Sequence, residues 1–546
     1  MADIQAYGIN LKSKAEIFQE LSSAYLIGVD VETISLVDKT PLGFSIATNP
    51  DYALWFPADA EQWKLDIGLS KLRDPSVAKI FFQSKFDYEA LSGYTIDQQN
   101  FEDSQLLAYT LNLPVSLYDL SSELGRTLET KFVDFKLKKN QTMLDIDKDF
   151  VLQKCCTDAC LALWCYNKLC GHMSQSYLID KSVVHILRGM ERRGVAISKD
   201  YLQKLHDELH RDTIYLRQLI QAKEGCDPNS NQQVGVTLAK KGWRLPYTRS
   251  KKQLRVDEAI LRDVPDPLAQ LVLIYREKSK ILSTYVEPLL GLGRVHSNFN
   301  LTRVVTGRLS SSSPNMQNVP ESIRSIFIAD NIFNSLDANQ IELRVMAWLS
   351  QDKVMGQALA RGEDLHEMTN RELNLNNRKL GKTLNFAVSY GGTVETIVET
   401  ARGYGIYLQP DMAHQLMMNY FKRFKGLADW IGDTRASVIQ TGMTKTMFGR
   451  IRRADPFLLH DNRTQEKVLK EMVNMPIQGT AAEIVKIMMA RTGGYDLRIQ
   501  VHDDLVYDGD CPPLSLFENI APFPVPMKLL VGKEWGNLAI VKKPIT

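Results

Sequence analysis

The chain has 546 residues, too many for a single hydrophobic core, and its length predicts two to four domains. With 44% hydrophobic and 24% charged residues it has the make-up of a globular enzyme, which excludes a disordered chain, and seven cysteines in this length exclude a disulfide scaffold. The net charge of +2 neither requires nor excludes a nucleic-acid partner, because local basic surfaces vanish in a neutral total.

The N-terminal MADIQAYGINLKSK lacks the apolar core of a signal peptide, and no apolar run of membrane-spanning length follows it. An intracellular protein without a membrane partner is expected, in the cytoplasm or an organelle. Residues 1–175 then show strand patterns, AYLIGVDVE, GFSIAT, YALWFP and KIFFQS, followed by helical periodicity. This predicts an α/β unit. GVDVET (28–33) puts Asp30 and Glu32 on one strand face, since alternate residues point the same way. Two like charges in an apolar strand are costly unless a cation or a basic partner stands near. FFQSKFDYEAL (81–91) adds Asp87 at a strand-to-helix passage, and KCCTDAC (154–160) adds Asp158 on a helix. Each acid taken alone reads as structural.

Five cysteines, Cys155, Cys156, Cys160, Cys165 and Cys170, cluster around that helix. A zinc site would need them to converge, yet a five-residue spacing turns each successive cysteine by about 140°. Buried free thiols are expected instead. From about residue 180 the pattern becomes mostly α, with VVHILRGMERRGVAI predicting a helix that stops at Arg193-Gly194. KKGWRLPYTRSKKQLR (240–255) then carries seven basic residues and no acid, with Trp243 and Tyr247 interleaved. A solvated loop and a surface that tracks a phosphate backbone both fit it.

LDANQIELR (336–344) and QVHDDLVY (500–507) each place a carboxylate at the end of an apolar strand. The second, with Asp503 and Asp504 between LRIQV and LVY, reads as a tight hairpin. Carboxylates facing each other at ~5 Å repel by ~3 kcal/mol at an effective dielectric of ~20, so a pair of this kind needs cations. Between the two segments lies RKLGKTLNFAVSYGG (378–392), where Arg378, Lys382, Phe386 and Tyr390 recur every four residues along one helix face. A nucleoside triphosphate laid along that stripe would set its phosphates at the two cations and its sugar and base against Phe386.

These motifs resemble those of family A DNA polymerases, similar to the large fragment of bacterial DNA polymerase I and to phage replicative enzymes. The resemblance runs through most of 180–546 and rests on VVTGRLSSSSPNMQNVP (304–320), the two aspartate segments, the Arg378 helix and NMPIQGTAAEIVK (474–486). It implies that Asp337 and Asp503, with the carbonyl of Ala338, hold two Mg2+ ions, with Mn2+ able to replace them. It further implies that Arg378 and Lys382 meet the triphosphate, Lys382 protonating pyrophosphate, and that His366 stands near them. Glu342 is implied to exclude ribonucleotides, Tyr390 to hold the template side of the new pair, and Arg308, Asn474, Gln478 and His502 to contact primer and template. Phe386 implies rejection of dideoxynucleotides. Asp504 stands where relatives carry glutamate and ranks below Asp503, and Lys470 replaces a usual arginine.

The first four acids, Asp30, Glu32, Asp87 and Asp158, look like those of the Asp-Glu-Asp-Asp 3′–5′ exonucleases of the ribonuclease H-like class. This implies two further Mg2+ ions, held by Asp30, Glu32 and Asp158, and hydrolysis of the terminal phosphodiester. Relatives carry a water-orienting tyrosine four residues before the last aspartate; here Lys154 stands there, which predicts a functional but slower exonuclease. The implied fold is a ribonuclease H-like α/β exonuclease domain (1–175) followed by a mostly α right-hand polymerase domain (176–546). Within the latter the thumb covers about 200–290, the palm about 291–350 and 441–546, and the fingers about 351–440. Primer–template DNA and deoxynucleoside triphosphates are the expected partners of a monomer; helicase, primase or single-strand-binding partners are not identifiable. The strand of Asp30 lies too near the N-terminus for a preceding 5′-nuclease domain, and this brevity favours a phage-type replicative role.

Overall fold

The computed structural model describes residues 4–8, 12–127, 135–248, 252–389 and 392–542. The first segment builds a six-stranded sheet from β1 (Gln5–Gly8), β2 (Leu26–Thr33), β3 (Pro41–Asn49), β4 (Tyr52–Pro57), β5 (Ala78–Phe81) and β6 (Phe101–Asp103). Its order is β1-β4-β3-β2-β5-β6; β2, β3 and β4 pair antiparallel, while β5 runs parallel to both β2 and β6. The helix Lys148–Leu169 packs across the sheet and covers it with Cys155, Cys156, Ala159, Cys160 and Leu163. Four of the clustered cysteines are therefore buried free thiols as expected, while Cys170 lies beyond the helix and is exposed. Small residues allow a close approach here: a Cβ on Gly28 would stand 2.2 Å from the carbonyl oxygen of Ala159. Ser45 Oγ donates to the carbonyl of Cys155 at 2.8 Å, a buried bond that locks the helix to the sheet.

After the helix Val184–Arg193, which ends at Gly194 with φ 57° as the sequence predicts, the chain enters a second sheet. It contains β7 (Val195–Ile197), β8 (Arg294–Val295), β11 (Phe327–Ala338), β14 (Leu497–Val501), β15 (Asp504–Asp508), β16 (Met527–Glu534) and β17 (Ala539–Lys542). Two small ribbons, β9 (Asn298–Asn300) with β10 (Ser310–Ser312) and β12 (Met443–Lys445) with β13 (Ile451–Arg453), flank it. The central β11 lies between β15 and β16. Leu336 and Leu505 pack on one face of the sheet; Phe333 and Val506 join a separate core on the other. Asp337 and Asp504 follow that second parity and lie directly opposite each other.

The helices Lys199–Glu224 and Pro267–Ile281 pack together around their own apolar cluster, which includes Ile220, Leu238 and Val272. The basic tract belongs partly to this unit. Lys241 pairs with Glu224 and Asp266, and the Trp243 indole donates to Asp266 at 3.1 Å; residues 249–251 lie outside the described residues. The helices Leu365–Glu372, Arg378–Ser389, Val394–Gly403 and Pro410–Arg423, which follow β11 and precede β14 along the chain, pack successively on one another. Among the described residues, no helix is long and apolar enough to cross a membrane.

Candidate active sites

The turn between β14 and β15 consists of His502 and Asp503, with His502 at φ 55° and Val501 paired to Asp504. The backbone N–H of Ala338 donates to the carbonyl of Asp503 at 3.1 Å, which brings the turn against the end of β11. Two segments more than 160 residues apart in sequence thus meet at Asp337 and Asp503. Burial, then the nearby charge of Asp337, pushes the Asp503 carboxyl up to about 7. Burial also raises Asp337, against the pull of Lys528, its neighbour on β16. Asp504 takes a different part: its Oδ1 accepts a 2.6 Å hydrogen bond from Ser335 Oγ, and burial raises its pKa to about 6. It is anchored in the sheet by that bond, directly opposite Asp337.

In front of Asp503 opens a cleft of about 420 Å³. Arg308, Glu342, His366, Arg378, Lys382, Phe386 and His502 line it, seven residues that the sequence singles out. Glu342, in the first turn of the helix Ile341–Ser350, is ion-paired with Arg308. Arg378 pairs with Asp364, whose carboxylate also caps the helix Leu365–Glu372. Lys382 Nζ lies 5.5 Å from the ring centre of Phe386 and 5.8 Å from that of Tyr404. His366 leans on Phe386 with ring centres 5.6 Å apart. Burial, helped by Arg378 and Lys382 against Asp364, lowers its pKa to about 4, so the imidazole is neutral at pH 7.

The amide of buried Asn385 ties this wall together. Its Nδ2 donates to His366 Nδ1 at 3.1 Å and to the Leu365 carbonyl at 3.2 Å. Its Oδ1 accepts from Thr369 Oγ1 at 3.0 Å and from the Tyr420 hydroxyl at 2.9 Å. With Nδ1 accepting, the His366 proton resides on Nε2.

The remaining expected residues lie outside the lining of this cleft. Ala338 is buried in β11, and Gln478 is buried on the long helix Gln465–Arg491. Asn474, on the same helix, has its Oδ1 buried and without a hydrogen-bond partner among the described residues. Lys470 is half-buried near Glu466, and Tyr390 lies outside the described residues.

The second cluster forms where the helix Lys148–Leu169 crosses β2. One carboxylate oxygen each from Asp30, Glu32 and Asp158 lie within 4.8 Å of one another, a group able to hold a metal ion. Burial and the mutual charges of the group raise the Asp30 carboxyl well above its usual range. Asp87, buried in the helix Ser84–Ala90, is raised likewise by burial and then by Asp30 and Asp103. Lys154 Nζ donates to Glu32 Oε1 at 2.7 Å and to Asp158 Oδ2 at 2.8 Å. Burial alone would depress its pKa, but Asp158 and Glu32 hold the ammonium well above its ordinary value. The Tyr118 hydroxyl, from the helix Leu117–Glu123, donates to Asp158 Oδ1 at 2.6 Å.

The family A DNA polymerase model matches residues 199–517, more than half of the chain. The chain belongs to DNA polymerase family A. A 3′–5′ exonuclease model matches residues 10–162, so an exonuclease-family domain precedes the polymerase domain. DNA polymerase I of Synechocystis sp. is 28% identical over 93% of this chain and 58% of its own length. DNA polymerase I of Chloroflexus aurantiacus is 26% identical over 96% of the chain and 62% of its length. That of Helicobacter pylori is 31% identical over 66% and 44%. The chain therefore spans less than two thirds of the length of these relatives. Among solved structures, the POL domain of Pol1 from M. smegmatis, in complex with DNA primer-template and dNTP, superimposes with a TM-score of 0.78. At 24% identity it covers 96% of this chain and 98% of that one, a likeness in fold.

Within this family A site, sequence reading missed several groups. Gln340, Lys486 and Gln500 also line the cleft, and Gln317 Nε2 donates to Gln500 Oε1 at 2.7 Å. Gln500 had a weak signal, a polar residue inside the apolar strand LRIQV two residues before His502; it pairs with Leu505 and so lies on the face opposite Asp504. Asn385 and Tyr118 had none, because their partners come from helices remote in sequence.

Proposed function

We propose that this chain is a template-directed DNA polymerase with a 3′–5′ proofreading exonuclease. The observation that carries the reading is the cleft in which Asp503, Glu342, His366, Arg378, Lys382 and Phe386 converge from four separate elements. Arg378 and Lys382 bind the triphosphate, and the neutral His366 offers Nε2–H as a hydrogen-bond donor beside them. Phe386 packs against sugar and base. Glu342, held by Arg308, walls off the space beside the sugar and favours deoxynucleotides. Arg308, Asn474, Gln478 and His502 are assigned to primer and template, and Asp504 supports the metal pair through the sheet.

The donors fit hard divalent cations. Asp337, Asp503 and the carbonyl of Ala338 are all oxygen ligands, and the raised Asp503 carboxyl marks a pair of acids that a cation relieves. Asp30, Glu32 and Asp158 fit in the same way. Mg2+ or Mn2+ bound at these groups supplies two-metal chemistry, activating the attacking oxygen and stabilising the leaving one. In the polymerase site Lys382 is the proton donor to pyrophosphate. In the exonuclease site Tyr118 holds Asp158 in place, and Asp87 stands beside Asp30.

The exonuclease domain is assigned to 1–175 and the polymerase domain to 176–546. The separate apolar core of the helices Lys199–Glu224 and Pro267–Ile281 supports a thumb at about 200–290, with palm at about 291–350 and 441–546 and fingers at about 351–440. Primer–template DNA and deoxynucleoside triphosphates are the assigned substrates of an intracellular monomer. The relatives reported above are bacterial, and the phage-type role finds no support among them.

A primer-extension gel tests the reading. Extension with deoxynucleotides and shortening of a mispaired 3′ end without them are expected. Asp337→Asn should abolish extension and spare shortening, and Asp30→Ala should do the reverse. Shortening alone would leave a nuclease on an inert scaffold, and neither product would leave a DNA-binding clamp; each overturns the proposal.

A further inference from the structure

Lys154 and Asp158 lie one helical turn apart and present the same face to β2. The Lys154 ammonium bridges Asp158 Oδ2 at 2.8 Å and Glu32 Oε1 at 2.7 Å, with its side chain only 19% exposed. These carboxylates are two of the three whose oxygens gather within 4.8 Å. Asp158 is held from its other side by the Tyr118 hydroxyl. The helix itself cannot shift to release the contact: Ser45 Oγ bonds the carbonyl of Cys155, Cys155 Sγ bonds that of Asp30, and Gly28 lies against Ala159. The ammonium can leave only by rotating its own side chain, which a four-carbon stem permits.

Charge points the same way. Four carboxylates, Asp30, Glu32, Asp87 and Asp158, neutralise two divalent ions. With one negative charge already matched by Lys154, a second divalent ion leaves the group net positive.

We propose that Lys154 is a built-in competitor for the divalent cation of the exonuclease site. Its ammonium holds the oxygens the ion needs and swings out as the ion binds, so Lys154 sets the metal affinity of this site. The inference rests on the exonuclease reading above and deepens it: digestion by this chain requires a higher divalent-ion concentration than the carboxylates alone would need.

Mn2+ binding to the full chain, followed by the electron paramagnetic resonance of free Mn2+, tests this. Asp337→Asn and Asp503→Asn are carried throughout so that the polymerase acids do not contribute. Lys154→Met, nearly the same length without the charge, should bind Mn2+ about ten-fold more tightly than the parent. Adding Asp30→Asn should remove that gain, and Mn2+ should raise the unfolding temperature of Lys154→Met more than that of the parent. Should circular dichroism show Lys154→Met unfolded, Lys154→Gln serves with the same expectations. Equal or weaker binding by the lysine-free variant, with Asp30→Asn still lowering affinity, overturns the competitor and leaves the metal site standing. If Asp30→Asn alters binding in neither background, the exonuclease metal reading fails as well.

Discussion

Replacing Asn385 with alanine should loosen the cleft wall that carries His366 and Arg378 without replacing any side chain assigned to substrate. The side chain is fully buried and makes hydrogen bonds to His366, Leu365, Thr369 and Tyr420. Thr369 Oγ1 has one proton and can turn it to the Leu365 carbonyl at 2.9 Å, so its loss is small. The Tyr420 hydroxyl lies in a fully buried side chain and would lose its acceptor, at a cost of about 1–3 kcal/mol. Release of His366 Nδ1 adds about 1 kcal/mol, the Leu365 carbonyl keeping the Thr369 hydroxyl as a donor. The local loss is about 2–4 kcal/mol, confined to the helices Leu365–Glu372, Arg378–Ser389 and Pro410–Arg423. Hydrogen exchange read by mass spectrometry should show faster exchange in these helices and unchanged exchange in β2 and the helix Lys148–Leu169. KM for deoxynucleotides should rise more than kcat falls, since His366 and the Arg378 stripe lose register. Tyr420→Phe provides the control: it removes the hydroxyl stranded by Asn385→Ala, so the double variant should recover about 1 kcal/mol or more of the loss. Additive losses in the two single variants, or unaltered exchange in Asn385→Ala, would refute the reasoning.

Three further outcomes follow from the same site. With a chelator present, the carboxyl of Asp503 titrates near 7 in the fold and near 3.9 unfolded, so its stabilising neutral form is fully present below pH ~4 and lost as pH rises through ~7, by up to about 4 kcal/mol. The melting temperature should therefore fall between pH ~4 and ~7 and level off above that, and fall less steeply in Asp503→Asn; a parallel fall in both would count against it. Phe386→Tyr should markedly raise dideoxynucleotide incorporation, seen as early chain termination on a sequencing gel, and unchanged termination would sink the assignment of this helix. Glu342→Ala should raise ribonucleotide insertion about ten-fold or more, measured as alkali-labile sites in the product, and should slow extension because Arg308 loses its partner.

The acids at 30, 32, 337 and 503 and the stripe from Arg378 to Phe386 were legible in the sequence because their placement is local. A two-residue period decides which strand face a carboxylate takes, and a four-residue spacing decides which residues share a helix face. The hairpin at His502-Asp503 was legible for the same reason, being a short polar turn between apolar strands. Periodicity gives a side chain its direction and leaves its partner open. Lys154 read as a weak substitute for a tyrosine; the crossing of its helix over β2 turned it into a bridge between Glu32, 122 residues away, and Asp158. Asn385, between Lys382 and Phe386, drew no reading from the sequence; two other helices place hydroxyls on its amide. Asp504, ranked below Asp503 for standing where relatives carry glutamate, is fixed in the sheet by Ser335 of β11, a partner no local pattern announces. The basic tract divided as well, with Lys241 and Trp243 drawn to Asp266 by the fold. The sequence by itself determined which polar groups share a strand or helix face, and so which ones to propose for the chemistry. Only the packing of elements remote along the chain decided which of them stand together, because pairing energies depend on distance in space.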